Sequence, residues 1–138
     1  MDLISTLNIS GSGLTAQRVR LQTISSNLAN AKSTGPDGAY RRQVPVVRSE
    51  SVDPFGKLLD RQLATVEVVD IQEVGDVQQV FDPAHPDADE EGFVEISDVN
   101  MMQEMVDMMT AARSYEANAN VIDVTHDMAM RAIDIGRR

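Results

Sequence analysis

The strongest constraint on how this chain folds is an apolar repeat along its C-terminal segment. Met101, Met105, Met108, Ala112, Tyr115, Ala119, Ile122, His126, Ala129 and Ile133 recur at alternating steps of four and three, with no Gly or Pro before Gly136. That spacing is the seam of a long helix, with His126 its one strongly polar member. Asn100 with Gln103 supplies an N-cap and N3 pair, and Gly136 a stop. A helix of about 36 residues is about 54 Å long, too long for a compact domain of this size. It needs a partner along its length. Three of the seam residues are Ala, so a partner helix can approach closely there.

A second, shorter seam lies near the N-terminus. Leu14, Gln17, Leu21, Ile24, Leu28 and Ala31 follow the same spacing after an interruption at Gly11-Ser12-Gly13, and the pattern stops in the breaker run Lys32-Ser33-Thr34-Gly35-Pro36-Asp37-Gly38. Asn27 and Asn30 flank Leu28, which sets both amides beside the seam, where a buried Asn can fix register. Between the helices the period changes to two. Tyr40–Val47, Ala64–Ile71, Val77–Phe81 and Phe93–Ile96 read as strands; Pro45 confines the first to an edge, and Asp82-Pro83-Ala84-His85-Pro86-Asp87 is a rigid loop.

The expected fold class is α+β. Long N- and C-terminal helices pack as an inner coiled coil, and a small β-rich middle module projects from it. Three parts follow: an N-terminal helical arm over 1–35, a β-rich outer module over 36–98, and the long C-terminal helix over 99–138. Apolar surface left over on two such helices must be covered by neighbouring chains, so the chain is expected to be an oligomer or polymer.

Composition narrows the function. There is no cysteine, which removes disulfides, thiolate metal sites and cysteine nucleophiles together. The net charge of −10 is concentrated in residues 50–98, an arrangement that repels phosphates and disfavours a nucleic-acid partner. No apolar run reaches the roughly 20 residues needed to span a bilayer, and Met1–Asn8 lacks the basic and apolar regions of a cleaved signal peptide. His85 and His126 stand far apart without companions at metal-ligand spacing. The sequence contains no nucleophile elbow, phosphate loop, dinucleotide fingerprint or H-E-x-x-H word. No carboxylate pair stands out for cleaving glycosidic bonds. No catalytic, metal or cofactor residue is therefore assigned.

The words at the two ends carry a resemblance. Ser12-Gly13-Leu14-Thr15-Ala16-Gln17-Arg18 and Ile24-Ser25-Ser26-Asn27-Leu28-Ala29-Asn30-Ala31 resemble the N-terminal signature of the flagellar rod and hook axial protein family. Val99-Asn100, Glu104-Met105-Val106-Asp107-Met108, Ala112-Arg113-Ser114-Tyr115-Glu116-Ala117-Asn118 and Ala132-Ile133-Asp134-Ile135-Gly136-Arg137 resemble its C-terminal signature. Tyr40-Arg41-Arg42 and Asp82–Val94 resemble a short proximal-rod member, while Pro45–Glu73 is individual to this chain.

The resemblance implies a structural subunit of the proximal rod, the drive shaft that crosses the periplasm and transmits torque. Its implied neighbours are copies of itself, FliE and the rod proteins FlgB, FlgF and FlgG. Export would proceed through the flagellar type III apparatus without a cleaved peptide. The Met101, Met102, Met105, Met108 and Met109 cluster would then serve as a deformable contact surface. Two other readings remain open: another axial component such as FlgB, or a calcium-modulated binding module built on Asp87-Ala88-Asp89-Glu90-Glu91-Gly92, a partial match to a calcium loop.

Overall fold

The computed structural model describes residues 3–34, 38–51 and 63–137. The centre of the first breaker run, Gly35-Pro36-Asp37, lies outside these residues, as does 52–62 within the individual Pro45–Glu73 stretch. Helix α1 spans Leu3–Asn30 and helix α2 spans Met101–Gly136. Between them come strands β1 (Arg42–Ser51), β2 (Ala64–Val74), β3 (Val77–Phe81) and β4 (Phe93–Ser97), in chain order. The fold is α+β, with a long helix toward each terminus and two small two-stranded sheets in the middle, β1–β2 and β3–β4.

The start of α2 follows from local chemistry. Asn100 caps it: its Oδ1 accepts from the Met102 N–H at 3.1 Å and the Gln103 N–H at 3.2 Å, pairing two of the donors that a helix start leaves orphaned. Gln103 does not complete the reciprocal box; its Nε2 donates to Asp107 Oδ1 at 3.3 Å instead. Gly136 is the last helical residue.

The first helix departs from expectation at its start. Gly11-Ser12-Gly13 does not interrupt α1, which runs through it from Leu3. Two glycines in a helix interior cost about 1 kcal/mol each relative to Ala, so tertiary contacts must hold this turn. Ser12 Oγ donates to the Ile9 carbonyl at 2.8 Å and accepts from the Val66 N–H of β2 at 3.1 Å. Gly13 lies under Asn118 of α2, so close that a Cβ there would meet the Asn118 Nδ2 at 2.8 Å.

The helices are antiparallel neighbours. Asn27 meets Glu104, and Gly13 meets Asn118; fourteen residues back along α1 match fourteen residues forward along α2. The sheets complete this hairpin. In β1–β2 the strands pair antiparallel from Arg42↔Val74 to Ser51↔Ala64, with a bulge at Val46/Val47. Pro45 sits in β1 opposite Ile71; with two strands, both are edges.

The ribbon does not simply project. Gln43 is bonded to Asn27, while β2, whose Val66 pairs with Ser49, is bonded to Ser12. Fifteen residues of helix cover about 22 Å and six of strand about 20 Å, so the ribbon keeps pace with α1 and lies along it. α1 is therefore the middle layer, flanked by the ribbon and by α2. The β3–β4 hairpin sits near the end of α1, where the Thr34 hydroxyl donates to Asp87 Oδ2 at 2.8 Å.

The Asp82–Gly92 loop is held by its own carboxylates. Asp82 Oδ1 accepts from the Ala84 N–H, and Asp89 Oδ1 accepts from the N–H groups of Glu91 and Phe93. Gly92 has φ +83°, and a Cβ there would meet Phe81 at 3.0 Å, so the turn requires glycine.

Candidate assembly site

Where α1, β1 and α2 meet, six residues form one polar cluster. Asn27 Nδ2 donates to the Gln43 carbonyl at 2.9 Å and to Glu104 Oε2 at 3.0 Å. Asn27 Oδ1 accepts from the Gln43 N–H and from the Tyr40 hydroxyl, both at 2.9 Å. Two donor hydrogens and two acceptor lone pairs exhaust what an amide side chain can do. The other carboxylate oxygen, Glu104 Oε1, accepts from Arg42 Nε at 2.6 Å, and Arg42 Nη2 lies 3.7 Å from Asp107 Oδ2. Asn27 and Glu104 are each 1% exposed. A carboxylate this deep is tolerated because it is paired and hydrogen-bonded on both oxygens.

This cluster fixes which face of α2 meets α1. Glu104, Ala111 and Thr125 are the buried residues of α2, and Asn118 over Gly13 completes their row. Met108, Ile122 and Ala129 lie beside that row and are half-buried. The second expected row, Met105, Ala112, Ala119 and His126, is displaced by one residue. Met105 is exposed, Ala112 and Ala119 are half-buried, and the His126 side chain is 70% exposed. His126 is thus no seam residue within the chain; Thr125 occupies that place and bonds its hydroxyl back to the Val121 carbonyl at 2.7 Å. Met101, Tyr115 and Ile133 are also exposed.

Ile24 and Asn27 of α1 and Ala31 just beyond it are buried, while Leu14, Gln17, Leu21, Leu28 and Asn30 are half-buried. Asn30 works locally, its Nδ2 donating to the Ser26 carbonyl at 2.9 Å and its Oδ1 accepting from Ser33 at 3.3 Å. Sequence reasoning misses Glu104, Arg42, Tyr40, Gly13 and Asn118 as packing residues. The one signal for Glu104 is a carboxylate set among apolar residues in the first turn of α2.

The opposite side of α2 is apolar and uncovered. Met102, Val106, Met109 and Met130 are all exposed, and they follow helical spacing on the face turned away from Glu104, Ala111 and Thr125, while Val121 and Met128, each within one turn of Thr125, are exposed beside the packed row. Among the described residues, the fully buried apolar ones are only Ala16, Ile24, Ala31, Val94 and Ala111. The chain exposes 9983 Å², against roughly 7,100 Å² for a compact monomer of its mass. A helix with apolar residues on both sides is built to be enclosed.

Among the described residues, no group of three or more His, Asp or Glu is placed to hold a metal ion. In the partial calcium-loop match, Asp89 spends an oxygen on backbone N–H groups. No described helix is long and apolar enough to cross a membrane.

The comparisons with known proteins point the same way at both ends. The model of the flagella basal body rod protein family matches residues 7–36, and that of the flagellar basal body rod FlgEFG protein C-terminal region matches residues 90–135. The flagellar basal-body rod protein FlgC of Aquifex aeolicus is 42% identical over 135 residues, covering 97% of each chain. FlgC of Bacillus subtilis is 38% identical over 151 residues, covering 99% of this chain and all of its own. FlgC of Escherichia coli O157:H7 is 37% identical over 138 residues, again covering 99% of this chain and all of its own. The chain belongs to the FlgC family of flagellar basal-body rod proteins.

Within this FlgC-family chain the two family models cover α1 with its exit and the acidic turn with β4 and α2, nearly to the end of that helix. They leave out the β1–β2 ribbon. The polar cluster therefore ties both matched ends, through Asn27 and Glu104, to the unmatched ribbon through Arg42 and Gln43.

Proposed function

We propose that this chain is a structural subunit of the flagellar basal-body rod, not an enzyme, and that the α1–α2 hairpin is its assembly element. The observation that carries the reading is the second apolar face of α2, from Met102 to Met130, which nothing among the described residues covers. Apolar surface at about 25 cal/mol per Å² makes such a face a strong drive toward neighbours. Methionine at Met102, Met105 and Met109 suits contacts that differ from one subunit position to the next, because its unbranched side chain adapts to irregular surroundings.

Other rod proteins would supply the neighbours: further copies, FlgB, FlgF, FlgG and FliE. The chain would reach the proximal rod through the flagellar type III apparatus without a cleaved peptide and there carry torque. The residues proposed for assembly are the exposed members of the α2 repeat, Met101, Met105, Tyr115, His126 and Ile133, together with the outward face. The half-buried members, including Leu14, Leu21, Leu28, Met108 and Ile122, would close the hairpin.

The test is complementation in cells that lack their own copy. Val106→Asp/Met109→Asp, checked for native helix content, should abolish swimming and leave no completed rod in isolated basal bodies. Normal swimming with the variant incorporated would refute the assignment of this face.

A further inference from the structure

We infer that Asn27–Glu104 and Gly13–Asn118 are two register pins that select one alignment of the hairpin over its heptad-slipped alternatives. No short turn sets this register, because residues 31–100 separate the helices. Apart from Ile24 and the two pins' own Asn27 and Glu104, the buried residues of the packed face are small, Ser10, Ala16, Thr23, Ala111 and Thr125, so their shapes alone discriminate weakly against a slip of seven residues. The pins are what a slip destroys. In one direction Glu104 comes opposite Arg20 and Asn27 passes beyond the start of α2. In the other Glu104 passes the end of α1 and Asn27 faces Ala111. In both, Glu104 loses the Asn27 amide, and Asn118 loses the glycine that makes room for it. A buried polar pair used in this way selects one alignment rather than adding net stability.

Arg42 and Tyr40 extend the selection to the ribbon. Both bond to the same pair, so the register of the helices also fixes where β1 begins. A slip would misalign the surface that α1 and α2 present jointly to neighbours. That consequence rests on the assembly reading; the register claim itself does not.

The test uses spin labels on the full chain, which has no cysteine of its own. Labels go on Arg18→Cys and Arg131→Cys, two helical positions well separated along the axis, where a one-heptad slip changes the spacing by about 10 Å. The parent should give one distance. Asn27→Leu/Glu104→Met, apolar and similar in volume, should add populations displaced by about 10 Å even where it melts no lower. Asn27→Asp alone, which sets two carboxylates against each other, should do the same.

Asn27→Asp/Glu104→Gln should raise the fraction at the parent distance above that of Asn27→Asp alone. The new amide at position 104 then donates to the new carboxylate at position 27 and still offers an oxygen to Arg42, while the Gln43 carbonyl loses its donor. A single unshifted distance in the apolar variant overturns the inference, as does more than one distance in the parent. Should the apolar variant fail to fold, the exchanged pair decides, and a fraction at the parent distance no higher than in Asn27→Asp alone overturns the inference.

Discussion

Asn27 and Asn30 belong to one sequence word, yet their replacement by alanine should have very different consequences. Asn27→Ala removes four hydrogen bonds at once. The Gln43 N–H and carbonyl and the Tyr40 hydroxyl belong to half-buried residues, so water partly replaces Asn27 for them, at about 0.5–1 kcal/mol each. Glu104 Oε2 is sealed from solvent and would lose its donor, costing about 1.5–3 kcal/mol. The total is about 3–6 kcal/mol, a large share of the stability of a domain this size, and corresponds to a fall in Tm of about 10–20 °C.

Asn30→Ala loses a bond to a carbonyl one turn back and one to the exposed Ser33 hydroxyl. Alanine returns about 0.5 kcal/mol of helix propensity, so the net change should stay within about 0.5 kcal/mol. Guanidinium unfolding of both variants, followed by far-ultraviolet circular dichroism, measures the contrast. Equal stabilities within about 1 kcal/mol would show that Asn27 does not hold the three elements together.

Three further outcomes follow from single positions. Gly11, where an added Cβ would meet no atom within 4 Å, should accept alanine with a gain of about 1 kcal/mol, whereas Gly13→Leu should lose about 1–3 kcal/mol by pushing Asn118 and α2 away; thermal melts of the pair read this directly. Asn100→Ala should cost about 1 kcal/mol and raise hydrogen exchange at the Met102 and Gln103 amides. Gly92→Ala should destabilise the β3–β4 turn by about 1–3 kcal/mol, seen as chemical-shift changes at Phe81 and Phe93, whose rings meet edge to face at 5.3 Å.

Much of the architecture is legible in the sequence because periodicity reports it. β3 is found where its alternation places it, β4 ends one residue later, β1 is shifted to Arg42–Ser51, and β2 runs on to Val74. The cap at Asn100 is legible because its chemistry is local. The start of α1 is not, because two glycines within three residues read as a break until Asn118 and Val66 are known to sit against them. The phase of α2 is hidden for a related reason. Methionine and valine occupy both sides of that helix at 101, 102, 105, 106, 108 and 109, so an apolar pattern fits more than one phase. The row that packs inward is Glu104, Ala111, Asn118 and Thr125, residues that such a pattern discounts. The pairing of Asn27 with Glu104 joins residues 77 positions apart, and no local signal announces it.

The most direct test of the central claim is photo-crosslinking in swimming cells. A crosslinking amino acid at Met109, on the outward face of α2, should join this chain to other rod subunits in isolated basal bodies, and one at Glu67 on the exposed ribbon should do so far less. Capture from Glu67 with none from Met109 would contradict the account, because the rod would then be built on the ribbon and not on the uncovered face of the helix.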